Sequence, residues 1–204
     1  MNKFYKRLKA LFGKFFGLLF RVKIINPQNE IQGTPFIVCS NHTSLWDVFI
    51  ISLAMKNQIR YLAKKEVFKI PIFGWIIKRM GAIPVDRKAG DIGAIKKSIE
   101  ILKNGDCMGV FPQGTRCPKQ NPRDTEIKDG IGMLCSKTNV GILPVYIKTK
   151  KGKVRFFHRT YFIIGEYIPP EELKFDALGK EKYRLISTHA FDKTCALGES
   201  VVKI

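Results

Sequence analysis

Acidic residues are scarce in this 204-residue chain: seventeen Asp and Glu face thirty-six Lys and Arg, and none occurs before Glu30. The formal charge of +19 favours an anionic partner, whether a lipid surface, a phosphorylated metabolite, a nucleic acid or an acidic protein. Histidine is limited to His42, His158 and His189, and there is no H-E-x-x-H, which leaves metal-centred chemistry with little support. The five cysteines are odd in number and contain no C-x-x-C, so neither a disulfide framework nor a zinc site is indicated, and a reducing cytosolic setting fits. There is no internal repeat, and the length suits one domain with a substantial core. The apolar N-terminal stretch is interrupted by Lys14 and followed by Arg21 and Lys23, which makes it a poor membrane span. No small-residue cleavage signal follows it, which argues against a secretory leader.

What is present begins at that N-terminus. On a helical projection of residues 3 to 21, Phe4, Leu8, Leu11, Phe12, Phe15, Leu18 and Leu19 share one face, and Lys3, Lys6, Arg7, Lys14 and Arg21 fall opposite. Such a helix suits the headgroup region, its apolar side roughly 5 to 10 Å deep and each nearby cation adding about 1 kcal/mol on an anionic leaflet. An ordinary helix packing that stripe on the core is the competing reading. Nucleic acid is disfavoured as the partner because the aromatics segregate onto one face and do not interleave with the cations. Residues 1–29 are therefore expected to form a membrane-association segment, and 30–204 the main domain.

The chemistry concentrates at Asn41-His42-Thr43-Ser44-Leu45-Trp46-Asp47. Pro35 to Cys39 reads as a short buried strand and residues 44 to 56 as a helix, which puts this motif on a strand-to-helix turn. Inside one helix an i, i+5 pair would diverge by about 140°. His42 must therefore precede the helix, with Asp47 in its first turn facing back toward the imidazole. The pair then has the form of a general base and its orienting carboxylate. Ser44-Leu-Trp-Asp47 also fits a helix-starting capping box.

Three further clusters follow. Gly81-Ala-Ile-Pro-Val-Asp86-Arg87 puts a guanidinium at a strand's C-terminal end, where open α/β sheets bind ligands, although for this dipeptide taken alone a surface Asp86–Arg87 pair is the better account. Cys107 to Pro112 reads as a buried strand, followed in the turn by Gly114, Thr115 and Arg116: a permissive backbone, a hydroxyl and a fork suited to phosphate. A plain turn with a solvated arginine is the alternative. Gly141 to Ile147 looks like a strand whose Pro144 implies an edge or a bulge.

These four blocks, in this order, resemble the glycerolipid acyltransferase family, most of all its bacterial lysophosphatidic acid acyltransferases. The family's H-x4-D corresponds to His42 and Asp47, its G-x-I-x-V-D-R to Gly81 through Arg87, its F-P-E-G-T-R to Phe111 through Arg116, and its V-x-P-V to Ile142 through Val145. Its lysine between the first two blocks corresponds to Lys64. Gln113 and Cys117 depart from the glutamate and serine usual there.

The resemblance implies transfer of a fatty acyl group from acyl-CoA or acyl carrier protein to the hydroxyl of lysophosphatidate at the cytoplasmic face of the membrane, with no cofactor and no metal. His42 would be the base, with Asp47 holding its tautomer. Lys64, Arg87, Gly114, Thr115 and Arg116 would hold the acceptor phosphate. Ser44 and Cys117 are less apt as nucleophiles, because there is no G-x-S-x-G elbow and the acceptor supplies its own hydroxyl. Glycerol-3-phosphate or another lysolipid as acceptor, a thioester or lipid hydrolase, and a non-catalytic membrane adaptor are the rival readings.

Strand-like runs near 35–39, 59–63, 81–85, 107–112, 142–148 and 154–164 alternate with helical patterns near 44–56, 90–103 and 125–137, before a helical tail at 178–197. That alternation predicts a single α/β domain with a mixed or largely parallel sheet flanked by helices, preceded by the amphipathic membrane helix. His158, among aromatics in a strand-like stretch, reads as structural.

Overall fold

Phe36-Ile37-Val38-Cys39 is apolar at every position because both faces of its strand are covered. Phe36 and Val38 join one core cluster, with Phe20, Ile50, Ile51, Met55 and Phe162. Ile37 and Cys39 point the other way, to Leu102, Met108, Ile131, Ile142 and Phe191. A side-chain period of two thus divides one strand between two cores.

A computed structural model describes residues 3–85 and 92–200. Among these, the strands are β1 (Val22–Ile25), β2 (Phe36–Ser40), β3 (Ile59–Lys64), β4 (Ile83–Val85), β5 (Cys107–Val110), β6 (Gly141–Thr149) and β7 (Thr160–Ile164). They form one sheet in the order β1-β7-β6-β2-β5-β3-β4. β2 to β6 run parallel, β7 lies antiparallel to β6, and β1 is parallel to β7. The fold is thus a mixed α/β domain with a mostly parallel sheet.

The helices are α1 (Lys3–Leu19), α2 (Trp46–Ala54), α3 (Phe73–Arg79), α4 (Ile92–Lys103), α5 (Gly130–Thr138) and α6 (Gly179–Ser200). α1 and α2 cover one face of the sheet, and α4, α5 and α6 cover the other. The crossovers β2-α2-β3 and β5-α5-β6 bring the C-terminal ends of the parallel strands to one edge, the edge where such sheets bind ligands.

Several expectations shift. β1 lies within the segment assigned above to membrane association, and it pairs with β7 from Val22↔Thr160 to Ile25↔Ile163. The strand expected over 154–164 starts only at Thr160, because residues 155–159 form an exposed turn after the buried Val154, so His158 is exposed and not packed on an apolar strand. The strand expected to reach 112 ends at Val110, where Phe111 and Pro112 turn away. α5 starts at Gly130, after a 3-10 turn at Pro122–Asp124. Pro144 sits in an internal strand: β6 lies between β2 and β7. The proline is tolerated because the β6–β7 ladder ends at Val145↔Ile164, and Pro144 itself is asked only for its carbonyl, which accepts from Gly165 N at 2.8 Å before Ile142 exchanges both backbone bonds with Ile168.

α1 divides its apolar residues. Tyr5 is buried and donates its hydroxyl to the carbonyl of Ser52, and Lys9 Nζ donates to the carbonyl of Met55, so this side clasps α2. Leu11, Phe15 and Leu18 remain exposed on a second stripe at i, i+4, i+7 spacing. No helix among the described residues is long and apolar enough to cross a membrane.

Candidate active site

The turn between β2 and α2 is built around one carboxylate. Asp47 is wholly buried, and its Oδ2 accepts from His42 Nδ1 at 2.9 Å, Thr43 N at 2.6 Å and Ser44 N at 2.7 Å. Thr43 Oγ1 adds a bond to Oδ1 at 3.3 Å, and Ser44 Oγ accepts from Trp46 N at 3.3 Å. The capping and the catalytic readings of Asp47 are therefore not alternatives. The Asp47–Ser44 N bond is half of a capping box, and the same oxygen holds the imidazole.

With Nδ1 donating to Asp47, the proton sits on that nitrogen and Nε2 is left as a lone-pair acceptor, without a hydrogen-bond partner among the described residues. The His42 side chain is 15% exposed, enough to meet a substrate at its edge. Its ring lies on Phe111, with centroids 4.0 Å apart and planes inclined at 17°. Phe111 in turn stacks on Tyr61 at 6.0 Å and 17°. Burial pushes the Tyr61 phenol well above its usual range, so that ring serves as a neutral support.

The loop after β5 is fastened to the same turn from two sides. Gln113 Oε1 accepts from His42 N at 2.7 Å, and Cys117 N donates to His42 O at 2.8 Å. Gln113 is buried, and its Nε2 donates to Thr125 Oγ1 at 2.9 Å, which itself donates to Pro122 O at 2.6 Å. Gly114 has φ 65 and closes the turn through Gly114 N to Phe111 O at 2.9 Å. Asn41 replaces the strand bonds lost where β2 ends: its side chain donates to Ile147 O at 3.0 Å and accepts from Ile147 N at 2.8 Å.

His42 and Asp47 are thus brought together, and Gly114, Thr115 and Arg116 are held against their turn, the last two exposed. Lys64 closes β3 at the same edge and is exposed, two strands from β2, about 10 Å at the usual inter-strand spacing. Arg87 lies outside the described residues, two positions beyond the end of β4. The sequence reading assigned no part to Phe111 as a stacking platform or to Asn41 and Thr125 as clamps. An aromatic directly after a strand was the only local sign of the first.

Of the alternative nucleophiles, Cys117 is half-buried in the loop after β5, its Sγ 3.9 Å from Thr115 O, and the others are poorly set. Ser44 is buried with its oxygen engaged, and burial pushes the Cys39 thiol up to about 12 and those of Cys107 and Cys195 up to about 11. Among the described residues no group of three His, Cys, Asp or Glu side chains is placed to hold a metal ion.

Comparison with known proteins identifies the family. A family model described as Acyltransferase matches residues 21–148. A 1-acyl-sn-glycerol-3-phosphate acyltransferase of Bacillus subtilis is 30% identical over 175 residues, which span 84% of this chain and 85% of that protein. One from Streptococcus pneumoniae is 34% identical over 116 residues, 56% of this chain and 42% of its own. The crystal structure of the 1-acyl-sn-glycerophosphate (LPA) acyltransferase PlsC from Thermotoga maritima superimposes with a TM-score of 0.75 at 26% identity, covering 98% of this chain and 80% of that one. With its paired histidine and aspartate at the head of α2 and a model match across most of its sheet, the chain belongs to the acyltransferase family.

Proposed function

We propose that the protein moves a fatty acyl group from an acyl-CoA or acyl carrier protein thioester to the free hydroxyl of 1-acyl-glycerol-3-phosphate, giving phosphatidate for phospholipid synthesis. The observation that carries this reading is the His42–Asp47 pair, with Nε2 unengaged at a partly open turn. The relatives from B. subtilis, S. pneumoniae and T. maritima, each named for that acceptor, support it.

In this scheme the acceptor hydroxyl gives its proton to His42 Nε2 as its oxygen attacks the thioester carbonyl. The new C–O ester bond forms, the C–S bond breaks, and the imidazolium returns the proton to the leaving thiolate. Asp47 holds the tautomer and stabilises the imidazolium, a contribution on the order of 10²- to 10⁴-fold for positioned base catalysis. Arg116, Lys64 and Arg87 are assigned to the acceptor phosphate, with Gly114 and Thr115 supplying loop donors. The thioester is a co-substrate, and the scheme uses neither cofactor nor metal.

α1 is assigned to the cytoplasmic face of the membrane, where its exposed Leu11, Phe15 and Leu18 would enter the acyl boundary. The test is an acceptor panel of lysophosphatidate, glycerol-3-phosphate and lysophosphatidylcholine, offered with each donor and read as acylated product by mass. Phosphatidate from lysophosphatidate in large excess over the other products is the expected result. Product from glycerol-3-phosphate alone would overturn the acceptor assignment.

A further inference from the structure

Six of the twelve residues 148–159 are Lys or Arg and none is acidic, and none of them belongs to the site above. The segment is the turn joining β6 to β7, and its backbone is fixed at several points. Gly152, at φ 63, donates to Thr149 O at 3.2 Å and accepts from Lys119 N at 3.0 Å, which ties the turn to the loop after β5. Val154 is buried, and Phe156 packs on Phe20 and Trp46, each with ring centroids 5.0 Å away. Phe157, at φ 60, donates to Leu19 O at 2.7 Å, and Thr160 N donates to Arg21 O at 3.3 Å.

The result is an open cavity of about 290 Å³ whose basic lining is Arg21, Lys150, Lys151, Lys153 and Arg159, with His158 beside them and no acidic side chain among the described residues. Collecting five permanent cations around one concavity is unfavourable unless an anion neutralises them. Phe157 lines the same cavity and is 73% exposed, and its backbone is bonded to the end of α1, next to Leu18 at 78%. Exposed apolar side chains beside a cationic hollow match the layering of a bilayer surface, acyl boundary below and phosphate level above.

We propose that this hollow is a headgroup site that binds the phosphate of an anionic phospholipid while Phe157 and Leu18 enter the acyl boundary. The proposal rests on the membrane assignment of α1 and extends it from a helix to a surface. It would hold the C-terminal edge of the sheet, and with it His42, against the layer that supplies the acceptor.

The test measures partition of the full-length protein onto phosphatidylcholine vesicles with and without phosphatidylglycerol, an anionic lipid on whose surface each nearby cation contributes about 1 kcal/mol. Lys151→Gln/Lys153→Gln/Arg159→Gln is compared with Lys103→Gln/Lys137→Gln/Lys180→Gln. The latter removes the same charge from the opposite edge, where α4 and α5 end and α6 begins. The turn triple is expected to lose on the order of 100-fold on anionic vesicles, at about 1 kcal/mol per cation, and to bind neutral vesicles as wild type does. The opposite triple should lose less than about threefold, being separated from the surface by more than a screening length of about 10 Å.

Equal losses in the two triples would show bulk charge and overturn the proposal, as would wild-type binding by the turn triple. If the turn triple kept vesicle binding but lost affinity for acyl carrier protein, or for inorganic phosphate alone, the site would belong to those ligands instead. Lys151→Arg/Lys153→Arg should restore binding, which separates charge from misfolding. A Phe15→Ser/Leu18→Ser variant that still binds, beside a turn triple that does not, would end the helix assignment and the part given to Leu18, and leave the phosphate site of the turn standing.

Discussion

The imidazole of His42 lies flat on the ring of Phe111, centroids 4.0 Å apart, while its Nδ1 points at Asp47. One contact fixes the ring's plane and the other its tautomer. Phe111→Leu keeps an apolar contact but removes the flat support. The expected outcome is a loss of about tenfold in kcat, near the 0.5–1.5 kcal/mol typical of ring pairs, with the lysophosphatidate KM within about twofold. Steady-state kinetics on the two proteins check it.

Asp47→Asn removes the charge that orients the imidazole and leaves an amide that cannot accept at both oxygen positions. A fall in kcat on the order of 10²- to 10⁴-fold is expected. Because Thr43 N and Ser44 N also donate to this carboxylate, the helix start should weaken too, by about 1–2 kcal/mol. Turnover together with a urea unfolding curve separates the two effects, and turnover within threefold of wild type would remove Asp47 from the chemistry.

Gln113→Glu and Gln113→Leu should part company. A carboxylate at 113 still accepts from His42 N, and Thr125 Oγ1 can turn its proton from Pro122 O toward it. Activity within about fivefold of wild type is expected for the glutamate. Leucine leaves the His42 N–H unpaired in a buried site, which costs about 1–3 kcal/mol and lowers the urea midpoint. Equal stability of the leucine variant and wild type would contradict the clamp.

Gly109 faces Tyr61 across β5 and β3. A Cβ there would come within 2.1 Å of the tyrosine ring, so Gly109→Ala must displace Tyr61 and, behind it, Phe111. Overpacking of this kind costs about 1–3 kcal/mol, and here kcat is expected to fall with stability although residue 109 touches no substrate. Calorimetry and turnover on the same sample read both.

The contrast between Asp47 and Gln113 shows what was legible in the sequence. Asp47 and its partners lie within five residues, so helix geometry alone placed them on a common turn. Gln113 reaches His42 across seventy-one residues, which only the parallel pairing of β2 with β5 brings together, and Thr125 across a loop of twelve. The parallel strands announced themselves as continuous apolar runs. β1 did not, because four residues directly after an amphipathic helix carry no pattern of their own. The face of α1 read as apolar keeps Leu11, Phe15 and Leu18 exposed, while the contacts with α2 come from Tyr5 and Lys9, outside that face, because periodicity locates an apolar stripe and not what it packs on.

The most direct measurement is thiol release from palmitoyl-CoA and from acyl carrier protein loaded with the same chain, with and without lysophosphatidate, in wild type and His42→Ala. If His42 is the base, release by wild type depends on the acceptor, phosphatidate forms in equal amount, and the alanine variant loses at least about 100-fold while unfolding at a similar urea midpoint. Acceptor-dependent release at the wild-type rate by His42→Ala would contradict that role, and release with free fatty acid but no need of acceptor would make the protein a hydrolase.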